Sequence, residues 1–249
     1  MTELTDANLL ETMQNGRLEI EGLLPWSSNY AFLVRVCEGE QEISAVYKPR
    51  RGERPLWDFA QGTLCQREQA AFVISEALGW HIVPPTVLRE GPHGIGTVQA
   101  FIDHDPERHY FTIEGDPMFR PQLQRIALFD ILINNADRKA GHVVLQQSDN
   151  DEEPGRLWGI DHGICFHTEA KLRTVIWEFA GTPIPERLRE DLRAFRGRLS
   201  APDDPVAAAV KELLFAPEIQ ALTRRLDRSL DRGMYPQPGP GRHYPWPPV

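Results

Sequence analysis

Asn134-Asn135-Ala136-Asp137-Arg138-Lys139-Ala140-Gly141-His142 is the stretch on which the reading of this sequence turns. It leaves an apolar run, 121–134, whose residues Leu123, Ile126, Ala127 and Ile131 mark an amphipathic helix. It enters Val143-Val144-Leu145, the start of a short strand. An Asp-Arg step between such a helix and such a strand reads as a catalytic loop. It reads equally as a helix C-terminus whose Arg138 and Lys139 sit well beside the negative end of the dipole.

Two flanking stretches decide between these readings. Upstream, Ala45-Val46-Tyr47-Lys48-Pro49 ends an apolar strand on a lysine, and Glu68 follows in a helix at a distance that allows the two to pair. Downstream, Trp158-Gly159-Ile160-Asp161-His162-Gly163-Ile164-Cys165-Phe166 sets an acid at a strand end before a glycine turn, where a carboxylate can take Mg²⁺ through oxygen. Alone, a lysine ending a strand is commonly structural, and Asp-x-Gly is a common turn. In this order the three supply what phosphoryl transfer from ATP asks of a protein: a cation on the phosphates, an acid for the metal, and a group that positions the acceptor.

Working outward, 18–36 reads as strand, turn, strand around Trp26-Ser27-Ser28-Asn29, and 42–47 as a third strand. Residues 64–78 read as a helix with Gly79 as its stop, and 83–89 and 96–102 as two more strands. Past Asp103 the pattern turns helical, with a hairpin of 143–146 and 157–160 across an acidic loop, 148–155, and helices over 185–199 and 217–230. The expected fold is α+β and two-lobed: 1–102 a small antiparallel sheet with one helix, 103–234 mainly helical, and 235–249 a Pro- and Gly-rich tail, disordered or polyproline. Trp57 and Phe59 are expected to anchor the loop after the basic residues Lys48, Arg50, Arg51 and Arg54. His81, His104, His109, His162 and His167 form no spaced ligand set and read as surface or cleft residues.

With these residues in place the chain resembles the atypical kinases that include phosphatidylinositol 3- and 4-kinases and HipA-type kinases, most closely the type II phosphatidylinositol 4-kinases. The likeness spans roughly 22–167. Glu68-Gln69-Ala70-Ala71-Phe72 followed by Ile82-Val83-Pro84-Pro85-Thr86 is similar to their helix and next strand, Gln99-Ala100-Phe101 to their inter-lobe hinge, and Ile160-Asp161-His162-Gly163 to their metal turn. The resemblance implies a protein-kinase-like fold with ATP held by the turn Ser27, Ser28 and Asn29, by Lys48 with Glu68, and by the backbone of Gln99, Ala100, Phe101 and Ile102. It implies catalysis by Asp137 with Lys48, and metal at Asp161 and position 142. Two departures stand out: His142 replaces a customary Asn, and the covering turn lacks the usual glycines. Because imidazole suits Mn²⁺ better than Mg²⁺, Mn²⁺ is the expected preference, with binding weakening below about pH 6.5.

The 249 residues carry a formal net charge of −9, which disfavours nucleic acid and anionic lipid as partners. The polar, acidic first residues are no secretory signal, and three dispersed cysteines without a CxxC pair fit reduced thiols in a cytoplasm. The expected activity is a cytoplasmic kinase moving the γ-phosphoryl of ATP to a hydroxyl of an unidentified small molecule, lipid or protein. AMP transfer on the same fold, or a nucleotide-binding module without catalysis, are the alternatives. Oligomeric state is not readable.

Overall fold

The period-two alternation before residue 100 folds into one antiparallel sheet. Its strands are β1 (Arg17–Leu23), β2 (Phe32–Glu38), β3 (Gln41–Pro49), β4 (Thr86–Gly91) and β5 (Gly94–Ala100), in the order β1-β2-β3-β5-β4. The structure, a computed structural model, describes residues 6–24, 29–148 and 154–249. Trp26, Ser27 and Ser28 of the expected nucleotide-covering turn lie outside the described residues, as do 149–153 of the acidic loop.

Val34, Val36, Ala45, Tyr47 and Val98 share one face of the sheet, where they bury Met13 of helix α1 (Asp6–Asn15). This helix has no counterpart in the sequence reading. It is fastened by Arg89, whose Nη1 donates to the carbonyls of Met13 and Gly16, each at 2.8 Å. Pairing of β3 with β5 sets Lys48 opposite Thr97, next to Gly96, where any Cβ would collide with the Lys48 carbonyl.

Helix α2 (Leu64–Ala77) stops at Gly79, which takes the left-handed conformation (φ 67°) open to glycine. Its Ala70, Ala71, Phe72 and Ile74 do not join the core under the sheet. They join the core of the helices that follow in the chain. Those are α3 (Tyr110–Ile113), α4 (Arg120–Ile133), α5 (Glu186–Ser200), α6 (Pro205–Leu213) and α7 (Ala216–Arg232), with the hairpin β6 (Val143–Gln146) and β7 (Arg156–Gly159) inserted after α4. Leu123, Phe129, Leu192, Phe195, Leu222 and Leu226 fill its centre. Helix α6 has a readable start that the sequence reading passed over. Asp204 caps it by accepting the Val206 N–H at 2.8 Å, and Pro205 occupies its first turn.

The segment 235–249, expected to be disordered or polyproline, packs along the helical part. Tyr235 is 3% exposed and donates its hydroxyl to the Gln124 carbonyl. The His243 carbonyl accepts the Thr174 N–H at 3.1 Å, and the Pro248 carbonyl accepts the Ala140 N–H at 2.8 Å. Buried Tyr235 and Pro245 supply the apolar anchors that the polar composition of the tail conceals. Among the described residues, no helix is long and apolar enough to cross a membrane.

Candidate active site

The loop 134–142 is shaped by groups buried beneath it. Helix α4 ends on Asn134, whose left-handed backbone (φ 55°) is tolerated by asparagine better than by most residues. Its side chain ties down the chain opposite, donating to the carbonyls of His167 and Glu169 and accepting from Lys171 N–H. Below it Asp130 and Arg138, both fully enclosed, form an ion pair. Arg138 also donates to the carbonyls of His142 and Ile160, each at 2.9 Å, and to Nε2 of His162 at 2.7 Å. One guanidinium therefore joins the loop bearing Asp137 to the turn bearing Asp161.

His162, expected at a surface or cleft, is fully buried in this hub, and burial holds its imidazole neutral, well below the usual histidine range. Asp130 was missed altogether. Its signal was legible, because it falls on the same helical stripe as Leu123, Ile126 and Ala127, where a carboxylate needs a partner.

Above the hub the expected residues converge. Lys48 Nζ lies 2.7 Å from Glu68 Oε1 and 3.0 Å from Asp161 Oδ1. Burial alone would lower the Lys48 ammonium, but the Asp161 and Glu68 carboxylates hold it above the ordinary lysine range. The Lys48 charge holds Asp161 well below the usual carboxylate range, while burial raises Glu68. Asp161 adopts a left-handed backbone (φ 62°), a costly conformation that concentrates at functional sites. Asp137 lines the same cleft as Lys48, Glu68 and Asp161. Burial, opposed by Lys139 3.7 Å away, pushes its carboxyl up to about 6.

His142 sits 3.4 Å from Asp161 through Nε2, and its Nδ1 lies 2.9 Å from the Asp137 carbonyl. A carbonyl only accepts, so Nδ1 carries the hydrogen and the Nε2 lone pair faces Asp161 Oδ2. Two lone pairs facing each other repel unless a cation stands between them. Burial lowers the imidazole to about 4, which moves the expected acid limit of metal binding from about pH 6.5 to lower pH. Among the described residues no three His, Cys, Asp or Glu side chains converge on one metal. A divalent ion at Asp161 and His142 would complete its shell from nucleotide oxygens and water, as Mg²⁺-class ions commonly do.

Other expected contacts are less concentrated. Asn29 lines the cleft, but its Oδ1 already accepts the Arg54 N–H at 2.9 Å. In the segment 99–102, the Gln99 side chain donates to Thr86, the Ala100 N–H to the Pro85 carbonyl and the Phe101 N–H to the Ser44 carbonyl. None of the four residues lines the cavity that holds Lys48. Phe59 is buried under the Arg67 guanidinium, whereas Trp57, expected as an anchor, is 92% exposed.

No protein-family model matches the sequence. Phosphatidylinositol 4-kinase gamma 4 of Oryza sativa subsp. japonica is 26% identical across 68% of this chain, a stretch equal to 33% of the rice protein. In fold the chain is similar to hydra Fam20 solved with sugar (TM-score 0.61, 14% identity, 93% of this chain and 89% of that one). It is similar also to the Golgi casein kinase with Mn/ADP bound (TM-score 0.59, 17% identity, 91% and 74%). The Helicobacter pylori proinflammatory kinase CtkA follows with a TM-score of 0.52 at 11% identity, over 90% and 94%. These likenesses establish the expected architecture, a kinase-like α+β fold with an antiparallel N-terminal sheet and a helical C-terminal part. Protein Rv2133c of Mycobacterium tuberculosis (strain ATCC 25618 / H37Rv) is 38% identical over 94% of this chain and 93% of its own length, and it is to the family of this protein that the chain belongs.

Proposed function

We propose that the chain is a metal-dependent phosphotransferase that moves the γ-phosphoryl group of ATP to a hydroxyl acceptor. The observation that carries this reading is Lys48 held between Glu68 (2.7 Å) and Asp161 (3.0 Å) in a cleft that Asp137 also lines. Lys48 binds the ATP phosphates, and Glu68 aims its ammonium. Asp161 and His142 hold the divalent ion, which when bound offsets charge on the transferring phosphates. Asp137 orients the acceptor hydroxyl and takes its proton, a role helped by a carboxyl raised toward neutrality. With the Ala100 and Phe101 N–H groups engaged within the protein and the Ile102 carbonyl bonded to His104 Nδ1, the Ile102 N–H is left as the contact for adenine.

The kinases of similar fold support this reading, as does the Mn/ADP bound in the Golgi casein kinase structure, which agrees with Mn²⁺ at a histidine-containing site. The test is transfer of label from γ-labelled ATP to extract fractions, run beside α-labelled ATP in Mn²⁺ and in Mg²⁺. Label from the γ position, lost in Asp137→Asn, is expected. Transfer from the α position alone would replace the reading with AMP transfer, and no transfer or hydrolysis would leave a binding module.

A further inference from the structure

A second cavity opens away from the cleft, where the end of α2 meets α4, β7 and α5. It encloses about 510 Å³ and shares no lining residue with the cleft around Lys48. In a chain of net charge −9, the described residues that border this hollow include Arg125, Arg156 and Arg187 and one carboxylate, Asp191. That carboxylate is already engaged, accepting the Trp80 indole N–H at 2.8 Å.

Arg156 is oriented before any ligand arrives. Its guanidinium stacks 3.6 Å over the Trp158 ring, and Nη2 donates to the His81 carbonyl at 2.6 Å. His81 in turn holds a left-handed backbone (φ 49°), a strained conformation for a non-glycine residue at the rim of a pocket. Arg125 is half-buried and Arg187 exposed, and neither side chain makes a hydrogen bond or ion pair among the described residues. One guanidinium fork satisfies a carboxylate, whereas three around one hollow match the oxygens of a doubly charged tetrahedral anion.

We propose that this cavity is a binding site for a phosphate-class oxyanion, held by Arg125, Arg156 and Arg187. It stands independently of the kinase reading and is separate from the ATP phosphates. Inorganic phosphate and O-phosphoserine, titrated calorimetrically into the full chain without nucleotide and at constant ionic strength set with chloride, test it. Saturable binding is expected, weakened about tenfold or more by Arg125→Gln or Arg187→Gln and unchanged by Lys48→Met. Stronger binding of O-phosphoserine would identify a phosphorylated molecule as the ligand, and equal or stronger binding of inorganic phosphate would identify the free ion. Unaltered melting of the arginine variants in chloride shows that they fold. If either variant misfolds, competition between chloride and phosphate on the unaltered chain, read as protection of Arg125 and Arg187 from arginine-selective reagents, decides instead. Absence of saturable binding up to about 10 mM overturns the proposal. So does binding that is lost in Lys48→Met but kept in the arginine variants, because the anion then sits in the cleft.

Discussion

The Nδ1–H of His142 is committed to the Asp137 carbonyl, and its Nε2 faces Asp161. An asparagine placed there would offer an amide oxygen, which suits Mg²⁺, where the histidine offers nitrogen, which suits Mn²⁺. Metal-dependent ATP binding is therefore expected to favour Mn²⁺ in the native chain, to shift toward Mg²⁺ in His142→Asn, and to weaken in His142→Ala. Titrations of ATP in each metal measure this, and an unchanged metal preference across the three proteins removes His142 from the site. With the imidazole lowered to about 4 by burial, that binding is expected to persist at pH 5.5, well under the ordinary histidine value.

Asp137 yields a prediction of opposite character. Its carboxyl is raised from 3.8 to about 6 by burial, so the native chain takes up a proton more readily than the unfolded one. Stability is thus lowered as pH rises between those two values and stays lowered above them. Asp137→Asn should stabilise the protein by about 1–3 kcal/mol at pH 7.5, with the gain vanishing near pH 4. The same variant should lose about 10²–10⁴ in transfer rate while keeping ATP affinity. Melting curves at the two pH values, beside turnover, check both halves; a variant less stable at pH 7.5 contradicts the assigned environment. The residues at the cleft were legible because each has a chemical type that phosphoryl transfer requires. Arg138 and His162 were not, because Arg138 is defined by its buried partner Asp130 on α4 and His162 by Arg138, pairings that no local pattern in either loop reveals.

At the scale of elements, α2 is held against the helical part as well as the sheet. Arg67, next to Glu68, is 3% exposed, pairs with Glu218 at the start of α7, and donates to the Cys165 carbonyl just past the turn bearing Asp161. Arg67→Met leaves Glu218 without its counter-charge in a buried setting, at an expected cost of about 3–5 kcal/mol in urea unfolding. A loss of under about 1 kcal/mol would mean that the pair is dispensable.

The tail acts on the other side of the site. It reaches the loop bearing Asp137 through Ala140 and the adjoining strand-like stretch through Thr174, which pairs in parallel with Arg138. Removing residues 240–249 should leave ATP affinity within about twofold, lower transfer, and speed hydrogen exchange at the Ala140 and Thr174 amides. Unchanged exchange at both amides would show that the tail does not brace the loop. Periodicity revealed the strands and the long helices because their buried faces repeat at 2.0 or 3.6 residues. It missed α1, whose buried residues among those described are Met13 and the polar Thr12, and the docked tail, which is held largely by backbone groups.

At the scale of the molecule, two cores meet at the cleft: one lies under the sheet, and the other joins α2 to the later helices. Lys48 comes from the first, while Glu68, Asp137, His142 and Asp161 come from α2 and from loops seated on the second. The order of motifs in the sequence foretold this assembly, since no other part of the chain sets a strand-end lysine before a helix-end acid and a strand-end acid. Within the cleft the Lys48 ammonium is bound to two carboxylates. On the proposed reading, ATP with a divalent ion would replace that arrangement, its phosphates at Lys48 and the ion at Asp161, and would bind only where both cores are folded. It should therefore stabilise the whole chain by about RT ln(1 + [L]/Kd), roughly 2.7 kcal/mol at a hundredfold excess over Kd. For a chain of this length that corresponds to a rise in Tm of about 5–10 °C. Lys48→Met and Asp161→Asn should each abolish the metal-dependent rise, whereas Asp137→Asn should keep it, since the role proposed for that side chain is toward the acceptor. Thermal shifts with ATP in Mn²⁺, in Mg²⁺ and in chelator, measured on all four proteins, separate these cases. No shift in the native chain at millimolar ATP in either metal defeats the nucleotide site itself. A shift that survives in Asp161→Asn defeats only its assignment as the metal ligand.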